Sequence, residues 1–396
     1  ADEGEVAFPN SYKAFTPRLL QAAYNFQMYE KDPGAFAHNA KYYVQLLYDS
    51  IEVLNEALDS PVELAQAQRD DAGHFDVTAE AFRHWDAEGE VPANCAKCHT
   101  AEGLPFLLEH GVMIAFEPSQ SLACTTCHAS FEDFSVYEVA EVTFPSGAVL
   151  SFEGDLASNL CLNCHQGRES TVSVNAAINR AGVGDDEVSP DLTFRNVHYF
   201  AAGATVFGSE AQGAYQYDGK EYVGRNLHAP GVDTCAGCHE VHELTVRVDE
   251  CTICHGEFED IRDIRLDLGP PTDYDGDGDD LEGVANEIAT MHEALYAAIL
   301  TYAAETAGTP IVYTPASHPY WFIDTNANGE ADPDEINGDN RYASWTPTLL
   351  RAAYNYQYIA KDPGAFAHNS DYALQVLYDS LESIGGADAV AGMARP

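Results

Sequence analysis

The sequence predicts a mainly α and irregular chain, with short β-hairpins in its middle, a helical hairpin at each end and little other regular secondary structure. Three observations lead to that fold class. A segment of about forty residues near the start is repeated near the end. Between the copies, from residue 95 to residue 255, the motif Cys-x-x-Cys-His occurs five times. After the last motif comes an acidic, Gly-rich stretch broken by one helical pattern.

The first element, residues 1–60, holds the first repeat copy. Residues 12–50 match residues 342–380 through Thr-Pro at 16–17 and 346–347, Ala-Ala-Tyr-Asn at 22–25 and 352–355, Lys-Asp-Pro-Gly-Ala-Phe-Ala-His-Asn at 31–39 and 361–369, and Tyr-Asp-Ser at 48–50 and 378–380. Identity of roughly two-thirds is far beyond chance. In each copy Thr16 or Thr346 reads as an N-cap, with proline at the first helical position. Asp-Pro-Gly ends the first helix. Asn39 or Asn369 caps the second, whose apolar positions Tyr43, Leu46, Leu47, Ile51 and Leu54 recur at helical spacing. Such hairpins either pack on the segment between them or contact neighbouring subunits, and head-to-tail contacts give rings or open filaments.

The second element, residues 61–262, carries the motifs Cys95-Cys98-His99, Cys124-Cys127-His128, Cys161-Cys164-His165, Cys235-Cys238-His239 and Cys251-Cys254-His255, which use all ten cysteines. This is the attachment signature of c-type haem. Two thiols three residues apart form thioethers with one porphyrin, and the following histidine ligates its iron. Zinc would pair two knuckles per ion and leave the histidines unexplained. Disulfides across so short a spacing would close only tiny loops. Five covalently bound haem c groups are therefore expected, with the polypeptide packed around them. Hairpins are expected near 138–152 around Pro145-Ser146-Gly147 and at 215–222 around Asp218-Gly219.

Each iron has a second axial position to fill. Only Met113 of the four methionines lies in the haem segment, whereas ten further histidines are available, so two histidines per iron is the default. By position, the distal set reads as His74, His84, His198, His228 and His242. His38 and His368 sit just before a helix cap in the two repeat copies, which suggests capping or packing, or a ligand that reaches into another subunit. His110, His292 and His318 read as incidental.

The third element, residues 263–341, contains two calcium-type loops. Asp324, Asn326, Asn328, Asp332 and Glu335 fall at positions one, three, five, nine and twelve of an EF-hand loop, with Gly329 at six. Asp273, Asp275 and Asp277 open a second loop in the same way, with Glu282 near its end. One Ca²⁺ is expected, and a second if the latter loop also closes. A helix is expected from Glu282 to about residue 304. The fourth element, residues 342–396, is the second hairpin.

The net charge of −45, from 19 basic and 64 acidic residues, excludes nucleic acid as a partner by repulsion and disfavours an anionic membrane surface. No apolar run approaches the length of a membrane span. The chain opens at Ala1 with neither a charged n-region nor an apolar h-region, so a mature exported form is expected, extracellular, at the cell surface or periplasmic.

The phrases Val-Pro-Ala-Asn-Cys-Ala-Lys-Cys-His at 91–99, Cys-Leu-Asn-Cys-His-Gln-Gly-Arg at 161–168 and Cys-Ala-Gly-Cys-His-Glu-Val-His at 235–242 resemble exported multihaem c-type cytochromes of the cytochrome c3 and c554-like kind. The resemblance covers residues 70–262 best. It implies bis-histidine ligation, and some members of the wider group polymerise into extracellular filaments, or nanowires, in which a distal histidine comes from the next subunit. The function expected is extracellular electron transfer to other redox proteins or extracellular acceptors, by a homo-polymer. A monomeric periplasmic or surface shuttle stands beside it, as does a multihaem oxidoreductase with one open haem. An enzyme would need that open iron, and the acidic field repels anionic substrates.

Overall fold

Thr16 is extended and its hydroxyl accepts the Leu19 amide at 3.2 Å, so helix α1 (Pro17–Glu30) begins where the proline predicts. The computed structural model describes residues 11–58, 60–62, 64, 67, 69–70, 73–265 and 271–396. After Asp32-Pro-Gly the chain forms α2 (Ala35–His38), breaks at Asn39 and continues as α3 (Ala40–Asn55). The Asn39 side chain accepts the Tyr42 amide at 3.1 Å and so starts α3. The Asn25 amide donates to Ser50 Oγ at 3.0 Å and links α1 to α3.

The chain forms two compact units, one of residues 1–126 with 242–244 and one of 127–241 with 245–396. Beyond the hairpin, the first unit contains α4 (Glu80–Arg83), α5 (Ala93–His99) and α6 (Gly103–His110), then reaches α7 (Cys124–Cys127). Gly111 ends α6 with φ +70°, a left-handed cap that suits glycine. Thr100 turns α5 into α6: its hydroxyl donates to Ala96 O at 2.8 Å and accepts the Gly103 amide at 3.0 Å.

The second unit opens with the hairpin β1 (Val142–Thr143) and β2 (Val149–Leu150), as expected around residues 145–147. It continues through α8 (Ser158–Leu162), α9 (Thr171–Ala181), α10 (Ala202–Phe207) and α11 (Cys235–Cys238). Strands β3 (His239–Glu240) and β4 (Thr245–Val246) then pair antiparallel and lead into α12 (Val248–His255). Helix α13 (Val284–Glu305) matches its expected span. The hairpin β5 (Ile311–Tyr313) and β6 (Trp321–Ile323) follows. The second repeat copy closes the chain as α14 (Pro347–Ala360) and α15 (Ala365–Gly385). α15 is kinked at Asn369, where φ is −171° and ψ 82°, close to the −167° and 78° of Asn39. The core lies where α13 packs on α14 and α15, around buried Met291, Leu295, Trp321, Trp345, Tyr354, Tyr358 and Tyr372.

The hairpin expected at 215–222 does not form. Residues 217–220 make a turn without paired strands. The backbone groups that a ladder would use are taken by side chains instead. Tyr215 N donates to Asn355 Oδ1 at 2.6 Å and its carbonyl accepts the Asn355 amide at 2.9 Å. Val223 N donates to Gln375 Oε1 at 2.9 Å, and Tyr217 N to Tyr222 Oη at 3.1 Å. Tertiary partners override local pairing here.

Candidate functional site

The ten cysteines form no disulfide with one another, which leaves each available for thioether attachment. Each motif sits on a short helix or helix end, so the two thiols and the histidine of one motif project from about one turn. Neighbouring motifs are also tied together. In the first unit, Thr126 of the second motif donates to Ala101 O, just beyond His99, at 2.8 Å. In the second unit, Ala236 N of the fourth motif donates to Ser158 Oγ on α8, which carries the third motif, at 3.2 Å. The Cys161 and Cys235 thiols touch, and this contact, with burial, raises Cys235 while Cys161 is lowered. Burial and the nearby Cys251 also raise Cys238. The Arg247 amide at the start of α12 donates to Cys238 O at 2.8 Å, fixing the fifth motif beside the fourth.

Three of the five motif histidines are oriented through Nδ1, whereas the buried His255 Nδ1 has no hydrogen-bond partner. His99 Nδ1 lies 2.7 Å from Ala81 O, His128 Nδ1 2.8 Å from Phe134 O, and His165 Nδ1 3.1 Å from Phe200 O. Holding Nδ1 on a carbonyl sets the tautomer that leaves Nε2 as the ligating atom.

Two pairs of histidine rings lie close together, each including the histidine of one motif. The ring centroids of His228 and His255 are 6.3 Å apart with planes at 27°, and those of His239 and His368 are 6.3 Å apart at 38°. A first-row metal binds imidazole nitrogen at about 2 Å, so rings on opposite sides of one ion have centroids roughly 6 Å apart. Both pairs fit an iron held between them. Of the two partners, His228 belongs to the distal set read by position, and His368 reads in the sequence as capping, packing or a ligand reaching into another subunit.

The His368 imidazole is set by its neighbours and is not a helix cap. Nδ1 lies 2.7 Å from Asp362 Oδ1, and the carboxylate is buried. Burial pulls the His368 pKa down, but the Asp362 carboxylate outweighs it and raises it overall. The ring folds back over Gly364, where an added Cβ would fall 2.8 Å from His368 Cε1. The sequence held a signal for this: Asp-Pro-Gly followed by His six residues after the Asp recurs in both copies. The cap itself is Asn369, which accepts the Tyr372 amide at 3.2 Å.

The other expected distal histidines are distributed as follows. His84 is exposed, its Nδ1 is 3.1 Å from Glu80 Oε1, and its ring lies against Trp85, which also contacts the His99 ring at 5.0 Å. His74 is half-buried in a 3-10 turn and burial lowers its pKa. His198 is half-buried with φ +83°, its amide on Asn196 Oδ1 at 2.8 Å. His242 is exposed. His292 is structural: Nε2 is 2.8 Å from Tyr356 O and the ring stacks on Tyr356 at 4.1 Å.

The acidic loops are built as follows. Asp275, Asp277 and Glu282 bring carboxylate oxygens within 4.8 Å of one another, as do Asp273, Asp275 and Glu287. Glu287, on α13, was missed in sequence because it lies beyond the twelve-residue loop frame. Its Oε1 pairs with Arg265 at 2.6 Å, and its Oε2 accepts the Tyr274 and Asp275 amides at 2.8 and 2.9 Å. Burial first, then Asp275 and its neighbours, push the Glu282 pKa up to about 7. In the second loop, Asp324 accepts the Asn328 and Gly329 amides, and Glu335 Oε1 accepts Thr325 N at 2.6 Å. Asp332 Oδ2 accepts the side-chain amides of Asn326 and Asn328 at 2.8 and 3.0 Å. Among the described residues, no helix is long and apolar enough to cross a membrane.

The chain is similar to two proteins of Geobacter sulfurreducens. It is 27% identical over 378 residues to the C-type polyheme cytochrome OmcB, covering 78% of this chain and 46% of that protein. It is 27% identical over 425 residues to the C-type polyheme cytochrome OmcC, covering 89% of this chain and 50% of that protein. The chain thus spans about half the length of the curated relatives it matches. No family model matches it. No solved structure matches it.

Proposed function

We propose that this chain is an electron carrier holding five haem c groups, each ligated by two histidines. The observation that carries the reading is the pair of histidine couples at axial spacing, each including the histidine of a Cys-x-x-Cys-His motif. Likeness to two polyheme cytochromes supports covalent haem and a role in electron transfer. Haem supplies one-electron exchange between ferric and ferrous iron. The chain's own residues do the rest. The cysteine pairs anchor each ring. His239 with His368, and His255 with His228, would hold two of the irons. His99, His128 and His165 serve the other three, with His74, His84, His198 and His242 as their distal candidates. Filled axial positions exclude substrate, which is why transfer is favoured over catalysis. The links from the third to the fifth motif keep successive anchors adjacent, so charge need not cross long spans of protein.

The four segments 1–60, 61–262, 263–341 and 342–396 act in this reading as a docking hairpin, the haem domain, a rigidifying loop region and a covering hairpin. Covalent haem attachment and the acidic surface fit an exported protein, extracellular or at the cell surface, whose partners are redox proteins or extracellular acceptors. Two tests follow. Pyridine haemochrome assay against protein mass should return five haems per chain, falling to four in a Cys161→Ser, Cys164→Ser double variant. The ferrous protein in its native assembly should take up almost no carbon monoxide. One equivalent bound per chain at wild type would instead favour an oxidoreductase with an open haem.

A homo-polymer is supported by one further observation. The N-terminal hairpin repeats the C-terminal one in sequence and shape but exposes the face that its twin buries. Its His38 is 69% exposed, against 21% for His368, with Nδ1 likewise on its aspartate, 2.8 Å from Asp32 Oδ1. In this reading that face, with His38, docks on a haem-bearing surface of a second copy.

A further inference from the structure

We infer that the loop at 273–282 binds a calcium ion through Asp275, Asp277 and Glu282. Asp275 is only 5% exposed, yet its Oδ2 has no hydrogen-bond partner, and neither has the buried Glu282 Oε1. Both belong to the three-carboxylate group whose oxygens lie within 4.8 Å of one another. A buried carboxylate oxygen without a donor is costly, and two such oxygens within one cluster of three carboxylates create a demand for a cation. Arg265 is already committed to Glu287 at 2.6 Å, to Glu282 O at 2.9 Å and to Thr272 O.

The donor set selects the ion. It is all oxygen, without histidine or thiolate, which disfavours zinc and copper. Several carboxylates on a glycine-bearing loop suit the flexible, high coordination number of Ca²⁺ better than the near-ideal octahedron that Mg²⁺ demands. Asp273 and Glu287 are positioning residues. Asp273 accepts the Gly276 and Gly278 amides at 2.5 and 2.9 Å and shapes the loop, and Glu287 ties it to α13. The loop in turn holds the chain's last residues: Ala394 N donates to Tyr274 O at 3.0 Å, and Gly276, with φ +81°, lies so close to Gly392 that a Cβ would fall 2.9 Å from its carbonyl carbon. A bound ion therefore fastens the C-terminal tail to α13, the helix that backs the His368 hairpin.

A second site is carried independently by Glu335, 2% exposed, whose Oε2 has no partner although its Oε1 is bonded. Asp324, Asn326, Asn328 and Asp332 are the further oxygen donors of the same loop on which such a site would draw.

The test is calorimetric titration of the EGTA-treated, redialysed holoprotein with CaCl₂, and in parallel with MgCl₂. Two equivalents of Ca²⁺ are expected, with a rise of several degrees in the unfolding temperature and at least tenfold weaker response to Mg²⁺. Asp275→Asn should lose one equivalent and Glu335→Gln the other, with haem spectra unchanged as evidence that each variant folds. No Ca²⁺ heat and no thermal shift at wild type overturns both sites. Two full equivalents retained by Asp275→Asn overturns the first.

Discussion

His368→Ala should open one haem in five. The ferric protein should gain a high-spin component of about one-fifth of its haem, and the ferrous protein should bind one equivalent of carbon monoxide per chain. The His239 and His368 rings lie 6.3 Å apart, and with Nδ1 of His368 salt-bridged to Asp362, Nε2 is its ligating atom. The substitution also strands the buried Asp362 carboxylate, so some loss of stability is expected on that account alone. Two controls separate ligation from folding. Added imidazole should restore the low-spin spectrum without restoring stability. Gly364→Ala, whose Cβ would press on His368 Cε1 at 2.8 Å, should weaken ligation while leaving the carboxylate paired. His228→Ala should do the same at the fifth site, and the two losses should add because they concern different irons. A fully low-spin His368→Ala protein would remove His368 from the ligand set.

What could be read from the sequence, and what could not, divides by how local the physics is. The haem motifs were legible because thioether attachment and proximal ligation need residues within one turn of helix. The hairpins at both ends were legible because Thr16 and Thr346, Pro17 and Pro347, and Asn39 and Asn369 act on their own backbone. The 215–222 segment misled because Asn355 and Gln375, from the far end of the chain, take up the backbone groups a ladder would have used. The nearness of His368 to His239 was not legible for the same reason: the two rings come together from distant parts of the chain. Glu287 escaped the loop register because it reaches the acidic cluster from a helix. Local signals mark the anchors, while tertiary packing brings His228 to His255 and His368 to His239.

The twin hairpins allow a paired experiment whose two arms should differ sharply. Tyr354 is fully buried and donates to Gly213 O at 2.7 Å; its counterpart Tyr24 is 66% exposed. Leu350 and Leu20, Tyr372 and Tyr42, and Trp345 and Phe15 show the same contrast. Asn355 bridges to the Tyr215 backbone, whereas among the described residues Asn25 bonds to Ser50. Tyr354→Ala should therefore cost about 3–5 kcal/mol of stability, the range for deleting a large buried aromatic. Tyr24→Ala should cost less than about 0.5 kcal/mol in the isolated chain. Its effect should appear in assembly instead. A face built like a buried one yet left bare is an interaction site, and the loss of a central aromatic from such a site costs about 2 kcal/mol or more, roughly 30-fold in association. Sedimentation of wild type, Tyr24→Ala and His38→Ala over a range of concentrations measures this. The wild type should associate, and both variants should shift towards monomer. His38→Ala should also bind carbon monoxide under conditions where the wild type is assembled and does not. A wild type that stays monomeric at every concentration, with or without Ca²⁺, would refute the polymer while leaving the electron carrier intact, because the His228–His255 and His239–His368 pairs lie within one chain.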